Sequence, residues 1–399
     1  MVKKVLLLEG LSQVAIDIFK SQNYQIESLS KSLSKEQLLE KIKDVDILGI
    51  RSKTEITEEI LNNAKKLKVI GCYCIGTDQV DIKAAEKNGI IVFNSPFANS
   101  RSVAELVLGE IIMLARRVFN NSKNMHNGIW NKSANGCNEI RGKTLGIIGY
   151  GHVGTQVSLL AESFSMNVQY YDIESKLPLG NAKSCDSLDQ LLQTSNFVTL
   201  HVPKTPETNK MIGRRELELM PKGSYLLNLS RGNVVDLEIL KEYLYSQHIA
   251  GCAVDVYPNE PRENGIEFIT PLQNCPNTIL TSHIGGSTLE AQEAIGKEVS
   301  LKIIKYIKEG CSHSSINFPQ ILPPSSFQGG HRILNVHHNK PGVLKQINNI
   351  LENYNISGQW LSTTNKIGYL IVDVETEVSN NLVEKIKELD ASIKTELLY

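Results

Sequence analysis

Long apolar runs are missing from this chain of 399 residues. None approaches the roughly 18 residues that a membrane-spanning helix needs. The opening MVKKVLLLEG reaches Glu9 after the short run VLLL, too little for the core of a secretory signal. The sequence therefore reads as a soluble, cytoplasmic protein with no membrane partner. A charge of one sign is missing too. Lys and Arg number 42 against 43 Asp and Glu, which excludes a strongly basic nucleic-acid surface, and a hydrophobic share of 41% excludes disorder. Cysteine is sparse: seven are scattered along the chain, and the closest pair, Cys72 and Cys74, gives neither a disulfide framework nor a zinc spacing. The thiols are expected to be reduced, and no metal is expected.

What is present is alternation. Short apolar runs at 5–8, 46–50, 68–74 and 90–93 alternate with amphipathic stretches, the pattern of βα units on a parallel sheet. A proline-free stretch, 102–125, predicts one long, largely buried helix. A second α/β block starts at Lys143 and runs to His283 through TLGIIG, NVQYY, FVTLHV, SYLLNL, IAGCAVDV and TILTSHI. Residues 287–308 are helical by pattern and make a split first domain the economical reading. The segment 316–330 holds Pro319, Pro323 and Pro324 and ends in Gly329-Gly330, which reads as a linker with a hinge. Beyond it the order is β-α-β-β-α-β, the ferredoxin-like arrangement. The expected fold class is α/β, with a Rossmann-type domain at 99–285, a split flavodoxin-like domain at 1–98 and 286–327, and a ferredoxin-like third domain at 328–399.

Gly149-Tyr150-Gly151-His152-Val153-Gly154 fits G-x-G-x-x-G. Alone such a match is weak; here it follows an apolar strand and opens a helical pattern. A second strand ends at Asp172, 18 residues after Gly154. Glycines allow backbone N–H groups to approach a pyrophosphate at the positive end of a helix, and Asp172 can accept the ribose hydroxyls while repelling a 2′-phosphate. NAD is the expected cofactor. His152 is expected to lie near the pyrophosphate or face solvent.

Three later strands end in polar residues, where parallel sheets place their chemistry: the segments NLSRG, AVDVYPNEP and TSHIGGST. With GYGHVG and the upstream IGTDQVDIKAAEKNGIIVFNSP, these resemble the D-isomer-specific 2-hydroxyacid dehydrogenases over residues 1–320. The resemblance implies a catalytic set of Arg231, Glu260 and His283, and a nicotinamide contact from Asp255. Singly, each of the three is an ordinary turn, loop or core residue; jointly, each closing an apolar strand, they point to chemistry. A keto oxygen that gains charge needs a proton donor with a pKa near neutral, which histidine supplies. A carboxylate on its other ring nitrogen favours the charged ring. An arginine fork matches a carboxylate. His201 matches the family pattern but is read as structural.

The start of the third domain, HHNKPG followed by an amphipathic helix, is similar to the amino-acid-binding ACT domain. The resemblance then extends to the ACT-bearing branch of the family, which oxidises the small molecule 3-phosphoglycerate and answers to L-serine. It implies substrate contacts at Arg51, Ser52, Asn99, Lys132 and Gln292, and effector contacts at His337, Asn339 and Asn355. It implies a homo-oligomer, a tetramer, with Trp130 inserted into a neighbouring subunit. Three other readings compete, and the intact Arg231, Glu260 and His283 argue against one of them, an amino-acid sensor built on a dead dehydrogenase. Glyoxylate, hydroxypyruvate or formate dehydrogenases of the same family lack the ACT domain, and the formate enzymes replace the glutamate by glutamine. NAD-sensing corepressor scaffolds end in a disordered tail, unlike the regular pattern of 331–399.

Overall fold

The computed structural model describes residues 2–261, 265–324, 330–375 and 380–398. The chain forms two compact units, Met1–Ala98 with Gln292–Tyr399, and Asn99–Ala291.

The first unit contains a parallel sheet of β1 (Lys4–Leu7), β2 (Gln25–Ser28), β3 (Ile47–Ile50), β4 (Val69–Cys72) and β5 (Ile91–Asn94). Their order β2-β1-β3-β4-β5 is that of a flavodoxin-like sheet. Strands β3, β4 and β5 are buried at every position, as strands covered on both faces must be. Strand β2, a polar edge strand with no buried residue, has no apolar run to announce it.

The second unit carries seven parallel strands: β6 (Thr144–Ile148), β7 (Asn167–Tyr171), β8 (Lys183–Ser184), β9 (Phe197–Leu200), β10 (Ser224–Asn228), β11 (Ile249–Val254) and β12 (Thr278–Leu280). Their order, β12-β11-β10-β9-β6-β7-β8, reverses direction between β6 and β9, the switch point where such sheets bind ligands. The expected single helix over 102–125 is two. The first, Ser100–Arg116, buries Val103, Val107, Ile111 and Leu114; Arg117 then turns left-handed at φ 50°, and Val118–His126 buries nothing. The apolar periodicity that stabilises a helix against the core ends at Ala115, so nothing holds the chain on one axis beyond it.

Residues 286–291, read from sequence with the first domain, cluster instead with the second unit. Asp255 accepts the Gly285 N–H, and Ser102 and Thr288 share a hydrogen bond of 2.8 Å.

The C-terminal sheet consists of β13 (His331–His338), β14 (Ile356–Thr363), β15 (Ile367–Val374) and β16 (Ser392–Leu398), ordered β14-β15-β13-β16 and antiparallel. One face packs Ile333, Leu370 and Val372 under the helices Val343–Ile350 and Asn380–Lys387. The other face adds Leu334, Val336, Tyr369 and Ile371 to the core that holds Val5, Tyr73, Phe93 and Ile303. The proline-rich segment is therefore no spacer between separate bodies, because Phe318 and Ile321 within it are buried in that shared core. Residues 325–329, with Gly329 of the expected hinge, lie outside the described residues.

Candidate active site

At the end of β6 the chain makes the tight turn its glycines anticipate. Gly149 has φ 91°, and a Cβ there would meet the His201 carbonyl oxygen at 2.4 Å. A Cβ on Gly154 would meet the Gly149 carbonyl oxygen at 2.2 Å, which explains why the helix can pack so close to the strand. Gly151 faces open space, leaving room for a ligand to approach the backbone. The helix His152–Ser163 starts there, and its first bond runs from the Thr155 N–H to the Gly151 carbonyl. The N–H groups of His152, Val153 and Gly154 thus form the anion-binding end of a helix. His152 is exposed and Val153 half-buried. Asp172 follows β7 and accepts the Tyr150 N–H at 2.7 Å and the Glu174 N–H at 2.9 Å. These two bonds fix its carboxylate beside the fingerprint. The open cradle, the helix end and the fixed acid together fit NAD.

The catalytic candidates come from the ends of β10, β11 and β12. His283 Nδ1 lies 2.7 Å from Glu260 Oε2. The Glu260 bond raises the histidine pKa more than burial lowers it, so the ring is biased toward its charged form. Burial works against charge on Glu260, but the bonds from His283 and from the Tyr257 N–H, with the Arg231 charge, hold its carboxyl below the usual value. With Nδ1 bonded to the carboxylate, Nε2 is left to face a substrate. His283 has φ 55°, a left-handed conformation that costs free energy in a residue with a Cβ.

Asp255 holds that conformation. Its carboxylate accepts Thr281 Oγ1 at 2.6 Å, the Ile284 N–H at 2.8 Å and the Gly285 N–H at 2.9 Å, while its carbonyl accepts the His283 N–H at 2.8 Å. The residue read from sequence as a nicotinamide contact is thus also the frame of the histidine loop. Asn228 does the same for Arg231: it accepts the Ser230 N–H and hydroxyl and donates to the Arg231 carbonyl at 3.0 Å. Among the described residues the Arg231 fork spends one N–H, on the Ser230 carbonyl, so the rest can meet a carboxylate. Burial pushes the His201 imidazole down to about 3, so it stays neutral, and it pairs with Thr199 Oγ1.

Of the expected substrate residues, Asn99 and Lys132 lie in the second unit, and Arg51, Ser52 and Gln292 in the first. Arg51 and Ser52 follow β3 in a loop held by Glu9, whose buried carboxylate accepts the Lys53 N–H, the Thr54 N–H and the Thr54 hydroxyl. In the C-terminal sheet His337 is buried and bonded to Asn335 Oδ1 at 2.8 Å. Asn339 is exposed and donates to the Thr364 carbonyl at 2.8 Å; Asn355 is exposed and donates to Glu375. Sequence reading missed Glu9, Asn228, Tyr257 and Thr281. Asn228 could have been found as a polar residue at a strand end; the other three act through bonds that no spacing reveals.

Residues 108–285 match the family model described as D-isomer specific 2-hydroxyacid dehydrogenase, NAD binding domain. Residues 333–394 match the one described as AHAS small subunit-like ACT domain. The chain is 58% identical over 396 residues to a D-3-phosphoglycerate dehydrogenase of Dictyostelium discoideum, covering 99% of this chain and 97% of that protein. It is 48% identical over 401 residues to the D-3-phosphoglycerate dehydrogenase of Escherichia coli K12, with the same coverage. Among solved structures, the TT0316 protein from Thermus thermophilus superposes with a TM-score of 0.69 at 32% identity, over 75% of this chain and 96% of that one.

Proposed function

Because the chain belongs to the D-isomer-specific 2-hydroxyacid dehydrogenase family, an NAD-dependent one, we propose that it oxidises D-3-phosphoglycerate to 3-phosphohydroxypyruvate, which opens L-serine synthesis. The single observation that carries the chemistry is the 2.7 Å pair of His283 and Glu260. Bound NAD+ supplies the hydride acceptor. His283 Nε2 takes the proton of the substrate's 2-hydroxyl, and the imidazolium so formed is held by Glu260; in the reverse direction His283 returns the proton. Arg231 binds the carboxylate and thereby orients the reacting carbon. Gly149 to Gly154 and Asp172 bind the dinucleotide, with Asp172 selecting against a 2′-phosphate.

For the substrate, Arg51, Ser52, Asn99, Lys132 and Gln292 are the residues proposed. The relatives' names supply the substrate assignment, and the ACT-type sheet favours it over a glyoxylate or hydroxypyruvate reductase. We further propose cytoplasmic action as a homotetramer inhibited by L-serine at His337, Asn339 and Asn355. The oligomer is supported by Trp130, 78% exposed, with Phe119, Met125 and Ile129 exposed on the same stretch. Among the described residues strand β14 is paired only with β15 and so forms an edge of the sheet, exposing Leu361, where a second sheet could add.

The test is NADH formation with D-3-phosphoglycerate against a panel of other 2-hydroxy acids. A preference for an unphosphorylated acid would sink the substrate assignment. His283→Ala should lose about 10² to 10⁴-fold in turnover while NADH still binds; full activity would sink the mechanism.

A further inference from the structure

Along the outer edge of β16 runs a cleft of about 560 Å³, between that strand, the Asn380–Lys387 helix and the segment that leads into β4. It lies wholly within the first unit and includes none of the cofactor or catalytic residues. Four cations line it, Lys65, Lys68, Lys387 and Lys394, against the two anions Glu384 and Glu396, an excess of two positive charges (4 − 2).

The carboxylates are already committed. Glu396 takes Lys68 at 2.6 Å and lies 3.7 Å from Lys394, and Glu384 takes Lys387 at 2.7 Å. Lys65 is exposed and has no carboxylate partner among the described residues. Lys394 donates to the Leu67 carbonyl at 2.7 Å, a bond that neutralises no charge. Burial, with Lys68 alongside, holds the Lys394 ammonium below the usual lysine value, and the same two causes act on Lys3 next to the cleft. Neutral donors are present as well. Asn335 Nδ2 donates to Ser392 Oγ at 3.0 Å and Thr395 Oγ1 at 2.9 Å, and the two hydroxyls are 3.2 Å apart. One hydroxyl proton bridges the pair, which leaves the other without an internal acceptor among the described residues.

We propose that this cleft binds a small phosphate-bearing dianion, free phosphate or a phosphate ester, at Lys65, Lys68 and Lys394. A phosphate group carries about −1.5 to −2 charge at neutral pH, which matches the local excess. Lysine ammoniums serve it as point charges, whereas a planar carboxylate gains most from an arginine fork, and none lines this cleft. Bound there, the ligand ties β16 to the segment Lys65–Lys68 and relieves the repulsion between Lys68 and Lys394. It thereby strengthens the attachment of the C-terminal sheet to β4.

The experiment is calorimetric titration of the full chain with inorganic phosphate and, separately, glycerol 3-phosphate, at ionic strength fixed with chloride. Wild type, Lys65→Glu, Lys65→Ala and Arg51→Ala are compared. Arg51→Ala weakens the proposed substrate site, so binding that Arg51→Ala spares and the Lys65 variants weaken belongs to the cleft. Reversing one exposed charge beside a dianion should weaken that binding about tenfold, and Lys65→Ala should weaken it less, about threefold. Whichever of the two probes binds more tightly identifies the source of the phosphate. Isotherms unchanged in both Lys65 variants, or no binding left in Arg51→Ala, overturn the proposal.

Discussion

Replacing Glu110 by glutamine should make the protein more stable, and more so as pH rises. Glu110 sits in the helix Ser100–Arg116, fully buried, and neither carboxyl oxygen has a hydrogen-bond partner among the described residues. Burial, and then the charge of Asp255, pushes its pKa up to about 8 from the usual 4.5. The sign follows from proton counting. Between those two values the folded chain holds a proton that the unfolded chain has released, so the stability this group contributes is fully present below pH 4.5 and is lost as pH rises toward 8, by about 1.4 kcal/mol per pH unit. At pH 7 the accumulated cost is about 3 kcal/mol, with relaxation and water entry making this an upper figure. Glutamine has the same shape and never ionises. A protonated carboxyl and an amide both bury polar atoms without partners, so that penalty largely cancels in the comparison. The assay is urea unfolding followed by circular dichroism from pH 6 to 8.5, using the transition that NADH shifts upward as the marker of the second unit. The Glu110→Gln advantage should be about 2 kcal/mol at pH 6 and grow with pH toward 8. A variant less stable than wild type, or an advantage that does not change with pH, would refute the reading that Glu110 is buried without a partner.

Glu260→Gln should move the His283 limb of the pH–rate profile to lower pH, because the carboxylate bond is the largest influence raising the ring's pKa; an unmoved limb in both reaction directions would break the pairing. Asp172→Ala should weaken NADH and narrow the preference over NADPH, measured as the ratio of kcat/KM values; a wild type that uses both cofactors equally would contradict the role given to Asp172. Gly154→Ala should lower affinity for NADH and shift the thermal midpoint down, since its Cβ would fall 2.2 Å from the Gly149 carbonyl oxygen; calorimetry and melting curves would show an undisturbed variant if that contact were easily relieved. L-Serine should inhibit wild type, and Asn339→Ala should relieve the inhibition while leaving uninhibited turnover intact. An unresponsive wild type would reduce the C-terminal sheet to an element of assembly.

The features legible in the sequence are those whose physics is local. Apolar runs of four to six residues between amphipathic stretches specify strands and helices, and from them follow the parallel sheets and the β-α-β-β-α-β end. Glycine spacing marks the dinucleotide turn, because Gly149 must take a left-handed backbone and Gly154 answers to the Gly149 carbonyl only five residues back. Arg231, Glu260 and His283 could be read as polar residues closing apolar strands. Contacts between distant residues became visible only in the folded chain. Asp255 reaches 29 residues on to hold the strained backbone at His283, and Glu9 reaches 45 residues on to hold the loop beside Arg51. The helix over 102–125 divides at Arg117 because burial stops there, which periodicity alone could not reveal. Nor could a proline-rich stretch disclose that Phe318 and Ile321 would be buried against the C-terminal sheet: linker composition describes a chain in solvent, whereas an apolar sheet face is stable only when another surface covers it.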